Sequence, residues 1–451
     1  MIAASGLRWL VLVVLALSVS APWRPLHAAT EGTTRKVAIV PFGLPAWGTE
    51  RDWMSDGFPY VLALRLQHFP QIKAVVLPRS VISGPGGVGN VLDSTEASKT
   101  LERLQPEGYE AVIFGNFAQV EPTLRAEIHV WTTRPDRHLS KTQEQAAERD
   151  PDGLVIKLAG FVMSVLQLPV SEAEGRRALE RYTTSAEAFE RFARALPLAD
   201  MADDEEEVAQ AVSLFKESVK LDGRFSMAWR QQGDLLFRRG HFLAAAEAYQ
   251  AVLSLGRRSA TVYRLLGNAY FAQHEVPRAL DAYKRALQHD ARDYQLLLDL
   301  GLAYASAKDY ENATKTFLRA LESKPDDPLA FANLGVVYLL QGNFAAATAS
   351  LRRAQLAHGS DPALAYNLGL SLLFEGSYDQ ARDQFERALQ LKPDYPAASY
   401  QLALIYERFD AVQAIERWRK YLDQARGKPV EQPWLAWAEE RLRHLQQPAP
   451  R

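Results

Sequence analysis

Gly233, Gly267, Gly301, Gly335 and Gly369 stand 34 residues apart. A fixed period held from Gly233 to Gly369 restricts that part of the chain to a stack of like supersecondary units. Two more series keep the step: Ala245, Ala279, Ala313, Ala347 and Ala381, then Tyr249, Tyr283, Phe317, Leu351 and Phe385. Such a stack works by contact, so the chain reads first as an interaction protein and not as an enzyme.

The unit follows from the apolar spacing inside one period. Leu329 to Leu340 is apolar with a helical repeat, Gln341-Gly342-Asn343 breaks it, and Phe344 to Ala357 is helical again. Each period is therefore helix, turn, helix, turn. The glycine and the alanine are expected where two helices approach closely, with the large residue filling the gap beside them, so that enlarging Gly335 or Ala347 costs about 1–3 kcal/mol. Asp309, Asn343 and Ser377, again 34 apart, are placed to cap the second helices. Pro277 fits a helix start, and Pro325 and Pro393 mark helix ends.

Leu334-Gly335, Tyr338, Ala347, Leu351, Ala354 and the preceding Pro325 match the pattern of the tetratricopeptide repeat, which this region resembles. Five units fit from 226 to 395. A sixth, 396–427, is degenerate, with Ala403 in place of the glycine and Arg419 where the aromatic belongs. An irregular first unit is expected over 185–222, its helices separated by Pro197 and the acidic run Asp203 to Glu207, which reads as a solvated helix start. Past the last unit, Leu435, Ala438, Leu442 and Leu445 form one stripe of a helix that caps the stack.

The chain has 451 residues, 47% of them hydrophobic, and a net charge of -2. That is room for two or three domains, with no global charge that points to nucleic acid. It contains no cysteine, which removes disulfides, thiolate metal sites, thiol catalysis and lipid attachment through an amino-terminal cysteine. At the amino terminus Arg8 precedes the apolar run Trp9 to Val19, followed by Pro22, Pro25 and Ala28-Ala29. Residues 1–29 read as a cleavable secretory signal with Leu26-His27-Ala28 as a cleavage sequence, an uncleaved anchor being the rival. The expected location is periplasmic or secreted.

Residues 35–168 have a different texture. Val37 to Phe42 suits a buried strand, Trp53 to Phe69 a helix, and Ile72 to Leu77, Ala111 to Phe117, Leu124 to Trp131 and His138 to Ala146 further strands. Helices are expected over Ser94 to Leu104 and Pro151 to Leu166. The order predicts an α/β sandwich, one sheet with helices packed on it. Val37 to Phe42, Asp56-Gly57 after Trp53, Leu62 to Leu66 and Tyr109 to Gly115 carry a resemblance to the amino-terminal domain of TolB and the related CsgG, FlgO and LpoB domains. That resemblance implies a non-catalytic module that meets bacterial envelope proteins. The lipobox cysteine of several of these families is missing, and so is the TolB propeller. The expected organisation is an α+β two-module chain: this sandwich, a linker over 169–184 that is either rigid helix or hinge, an all-α solenoid over 185–428 and a capping helix over 429–447.

Gly84-Pro85-Gly86-Gly87-Val88-Gly89 satisfies GxGxxG, yet Pro78 to Ser83 separate it from the preceding strand and the next helix starts late, so a surface loop is the plainer reading. Asn90-Val91 also excludes a phosphate-binding P-loop. No HExxH or GxSxG is present. No cofactor and no metal are expected. A ligand sensor using Gly84 to Gly89 is the alternative to a scaffold.

In stacks of this kind the first helix of each unit lines the concave face. Positions three before, one after and four to five after each glycine then face a partner: Arg230, Asp234, Arg238, Arg264, Asn268 and Phe271, followed by Leu298, Leu302, Val336, Leu339, Tyr366, Leu370, Leu373, Tyr400 and Leu404. The groove reads as polar and basic at its start and apolar at its far end. About half of the apolar members are expected to pack between neighbouring first helices. Asn333 and Asn367 adjoin this face and suit a ligand backbone. The resulting expectation is a non-catalytic envelope scaffold that takes a protein segment or helix as partner.

Overall fold

The computed structural model describes residues 34–43, 53–69, 71–78, 99–100, 102–120, 123–133, 138–167, 171–357 and 359–447. The signal segment, the Gly84–Gly89 loop and most of the helix expected over Ser94 to Leu104 lie outside them. The described residues form two compact units, divided between Arg258 and Ser259. The division falls inside the repeats and not at the expected linker over 169–184.

The first unit begins with β1 (Arg35–Ile39), α1 (Trp53–Leu66), β2 (Ile72–Val76), β3 (Tyr109–Val120), β4 (Thr123–Thr132), β5 (His138–Ala147) and α2 (Pro151–Val165). The sheet order is β2-β1-β3-β4-β5, parallel where β1 meets β2 and β3, antiparallel from β3 to β5. Alternation places Val37, Ile39, Ala111, Ile113, Ala126, Ile128 and Val130 on one face, under α1 and α2. The five strands and two long helices expected from the sequence are present with ends moved by a few residues.

The chain then runs through α3 (Glu172–Ala178) into two hairpins, α4 (Ala186–Met201) with α5 (Glu205–Leu221) and α6 (Ser226–Arg238) with α7 (Phe242–Ser254). One apolar core runs from the sheet through Phe189, Phe192 and Phe215 to Leu235. The first hairpin therefore belongs to the same core as the sheet. Phe58 of α1 meets Phe189 of α4 edge-on at 5.7 Å. A Cβ on Gly57 would come within 2.8 Å of the Ala193 carbonyl oxygen. Pro197 was expected to separate the helices, but it sits inside α4. A proline there leaves the Ala193 carbonyl without its usual donor four residues on, and the bare backbone of Gly57 packs against that turn. Asp204 caps α5 by accepting from Glu207 N at 2.9 Å, with Glu205 to Glu207 in the first turn, so the acidic run is a helix start.

The segment between α3 and α4 is fixed by Arg65. Its guanidinium, fully buried, pairs with Asp152 and donates to the carbonyls of Ala178 at 2.9 Å and Glu180 at 2.8 Å. The ring of Tyr182 lies 3.9 Å from it. Asp152 in turn accepts from the backbone N–H groups of Tyr182 and Thr183 at 2.6 and 3.3 Å. Of the two readings left open for this stretch, the described part is a clamped connection: α3, closed by a Ser171–Glu174 capping box, then the Arg65–Asp152 pair.

The second unit holds α8 (Ala260–Ala272) with α9 (Val276–His289), α10 (Tyr294–Ser306) with α11 (Tyr310–Ser323), α12 (Pro328–Leu340) with α13 (Phe344–Ala357), α14 (Pro362–Phe374) with α15 (Tyr378–Leu391), α16 (Pro396–Tyr406) with α17 (Ala411–Ala425), and α18 (Gln432–Gln446). Asp309 and Asn343 cap α11 and α13 through Asn312 N and Ala346 N at 3.2 and 3.3 Å. Ser377 makes no such bond. In the degenerate hairpin the aromatic is not lost but moved by one residue: Trp418, fully buried, takes the place expected at Arg419. Its helix starts one residue sooner after Ala403 than α15 does after Gly369. Leu435, Ala438, Leu442 and Leu445 of α18 close over Trp418 and Tyr421, as a capping helix should.

Candidate binding face of the repeats

The glycines make room for a ring more than for a backbone. A Cβ on Gly233, Gly267, Gly301 or Gly369 would fall 2.5–2.7 Å from the ring of Tyr249, Tyr283, Phe317 or Phe385, and one on Gly335 would fall 2.6 Å from Leu351 Cγ. The alanines Ala245, Ala279, Ala313, Ala347 and Ala381 are fully buried.

The same large residue governs the position just after each glycine. Tyr249 donates to Asp234 Oδ1 at 2.8 Å, and Tyr283 donates to Asn268 Oδ1 at 2.7 Å. Where the large residue lacks a hydroxyl, the partner position is apolar: Leu302 with Phe317, Val336 with Leu351, Leu370 with Phe385. Asp234 and Asn268 were expected to face a partner, but they hold the repeat's own tyrosines. Burial pushes the Tyr283 phenol well above its ordinary value, so it stays a donor.

Arg264 was expected to face a partner and hold an acidic group of it. It donates from Nη1 to Asp299 Oδ2 at 3.2 Å, while Gln295 donates to Asp299 Oδ1 at 3.2 Å. Asp299 is buried, and desolvation raises its pKa to about 6 despite the opposing charge of Arg264. In the first unit, Arg230 lies 3.7 Å from Asp234. Burial, followed by the charges of Arg230 and Arg65, lowers His68 to about 4. Arg238 donates to the Ala199 carbonyl at 3.0 Å.

The aromatic end of the expected groove is closed. Tyr366 is 1% exposed, its ring between Phe385 at 5.6 Å and Tyr395 at 5.2 Å. Tyr400 packs against Trp418, Tyr421 and Trp437 within 5.4–5.8 Å. Leu298, Leu339 and Leu370 are buried too. These five are stack-packing residues because the second helix of their own hairpin and the element that follows it cover their side of the helix. Phe271, Leu302, Val336, Leu373 and Leu404 remain half-exposed, as does Asn333. Asn367 is half-exposed as well, and its Oδ1 is buried without a partner among the described residues.

Among the described residues no cluster of three or more His, Asp or Glu could hold a metal ion. No helix of the described residues is long and apolar enough to cross a membrane.

Stacked helical hairpins of this geometry define a helical repeat protein. The repeats are tetratricopeptide repeats: residues 196–261, 230–295, 264–328 and 298–365 match one family model of that description, and residues 369–408 a second. Proteins with such repeats in general mediate protein–protein contacts and act as non-catalytic adaptors. The match begins at 196, before the regular period, and so takes in much of the α4–α5 hairpin.

No curated protein matches the chain. Among solved structures it is similar to MamA of Desulfovibrio magneticus RS-1, at 23% identity over 38% of this chain and 97% of that one, TM-score 0.36. Pseudomonas aeruginosa pilF is 23% identical over 48% of this chain and 100% of that one, TM-score 0.42. A tetratricopeptide repeat protein of Parabacteroides merdae is 16% identical over 55% and 99%, TM-score 0.45.

Proposed function

We propose that the protein is a non-catalytic scaffold of the bacterial envelope that holds an extended segment of another protein along the first helices of its repeats. The observation that carries the reading is Asn367, whose carbonyl oxygen is buried beside this face with no partner among the described residues. Asn333 occupies the same position one repeat earlier, 34 residues before it. Two amides at that spacing suit the backbone of an extended chain, and the half-exposed Leu302, Val336, Leu373 and Leu404 suit its apolar side chains. The envelope address rests on the signal-like amino terminus and on the TolB-like pattern of residues 35–168. In this reading the sheet-containing domain meets a second envelope component.

The test is affinity capture from envelope extract with the full mature chain and with the variant Asn333→Ala/Asn367→Ala, helicity being checked by circular dichroism. The account expects a protein captured by the wild type and lost from the variant. Equal capture by both forms overturns the groove. Amino-terminal sequencing of the periplasmic fraction checks the address, which predicts a chain starting at Ala29 or Thr30; recovery only from the cytoplasm contradicts it.

A further inference from the structure

The register of the sheet fixes which backbone groups of its last strand are left over. Thr133 N donates to the Glu110 carbonyl at 2.9 Å, so the odd-numbered residues of β4 turn their N–H and C=O groups toward β3. The even-numbered ones, Leu124 to Thr132, then bond to β5, where Ser140, Thr142, Glu144 and Ala146 are among their partners. Leu139, Lys141, Gln143 and Gln145 therefore aim their N–H and C=O groups away from the sheet. Lys157 of α2 donates to the Gln145 carbonyl at 2.6 Å, as an outward carbonyl allows. Among the described residues no backbone group bonds to Leu139, Lys141 or Gln143 from the outer side. β5 keeps its register with β4 over ten residues, without a bulge, proline or glycine, whereas β2 at the opposite edge is five residues long. No backbone device closes the β5 edge.

We propose that the outer edge of β5 takes an extended segment of another protein as a sixth strand, with an acidic side chain of that segment opposite Lys141. A row of donors and acceptors repeating every second residue is the complement of another extended backbone. The side chains then select the occupant. Exposed Lys141 lies across the ladder from His129 and shares its face with Arg125, while Glu127, the carboxylate that β4 and β5 place on that face, sits 3.0 Å from His129 Nε2. The edge thus favours negative charge opposite Lys141. A second copy of β5 cannot supply it, because Leu139, Lys141, Gln143 and Gln145 include no carboxylate. The inference rests on the reading of the sheet-containing domain as the part that meets a second component, and not on the first-helix face.

The probe is a phage-displayed library of random peptides about twelve residues long, enough to span β5, selected on the full mature chain. The expected result is a family rich in strand formers with Asp or Glu at one fixed position. Gln143→Pro removes an outward N–H that β4 does not use, so the melting temperature should hold while affinity for a selected peptide falls about tenfold or more. Selection on Lys141→Glu should replace the acidic residue by Lys or Arg. With the peptide bound to the wild type, the Lys141 and Gln143 amides should exchange with solvent more slowly, and those of Thr142 and Glu144 as before. Protection confined to other residues overturns the proposal whether or not Gln143→Pro folds. So does the absence of an enriched family, equal binding to the folded Gln143→Pro variant, or selection of the same acidic peptides on Lys141→Glu. Asn333→Ala/Asn367→Ala, which tests the first-helix face, should select the same peptides as the wild type. Their loss from that variant places the binding on the repeats and contradicts the edge.

Discussion

The Tyr283 hydroxyl donates to the Asn268 side-chain oxygen at 2.7 Å, both groups buried, and one repeat later the same two positions are Phe317 and Leu302. The pair is polar together or apolar together. Tyr283→Phe alone strands a buried amide oxygen and should destabilise the protein by about 1–3 kcal/mol. Asn268→Leu added to it recreates the neighbouring repeat and should recover most of the loss. Chemical denaturation of the four members of the cycle measures the coupling. Additive effects would show that the two positions are independent.

His274 and Lys308 occupy left-handed backbone, with φ of 60° and 61°. The equivalent residues in other repeats, Gly240, Gly342 and Gly376, have φ of 75–83°. His274→Gly and Lys308→Gly should therefore each stabilise by up to about 1 kcal/mol, relief of the left-handed cost outweighing the gain in unfolded-chain entropy. A lower melting temperature in both would contradict this.

Arg65 ties the sheet-containing domain to the first hairpin. Arg65→Met leaves Asp152 buried and unpaired and should cost about 3–5 kcal/mol. The segment 178–183 should become cleavable by limited proteolysis well before the rest of the chain. Protection equal to the wild type would show that the clamp does not fix the connection.

Asp299 supplies a pH signature. Its folded pKa, about 6, lies above the unfolded value of 3.8. The folded state therefore binds more protons between those values, and this group's contribution to stability falls as pH rises from about 4 to about 6. Asp299→Asn should flatten that part of the stability profile relative to the wild type. Parallel profiles for the two proteins would place the Asp299 titration elsewhere.

The repeats were legible because the period is written in small residues that lie against a large neighbour: Gly267 cannot grow without striking Tyr283. The strands were legible from alternation, β4 being buried at every second residue from Leu124 to Thr132. What a helical position cannot reveal is whether the next hairpin covers it. Tyr366 and Tyr400 have the right phase for a groove and are nevertheless closed in by Tyr395 and by Trp418 and Trp437. The hydroxyl pairing of Tyr249 with Asp234 was available as co-variation between repeats, since tyrosine coincides with a polar neighbour and phenylalanine or leucine with an apolar one. The shared core of α1 and α4 joins residues more than a hundred positions apart, such as Phe58 and Phe189, and local pattern carries no trace of it.

The most direct measurement places a photoreactive amino acid at Val336, on the proposed face, and separately at Leu356, which is 89% exposed away from it, in the full chain expressed in its own cells. The account predicts an adduct with one partner protein from Val336 and none from Leu356. Adducts from Leu356 alone, or from neither position, would contradict the claim that the first-helix face is where this protein holds its partner.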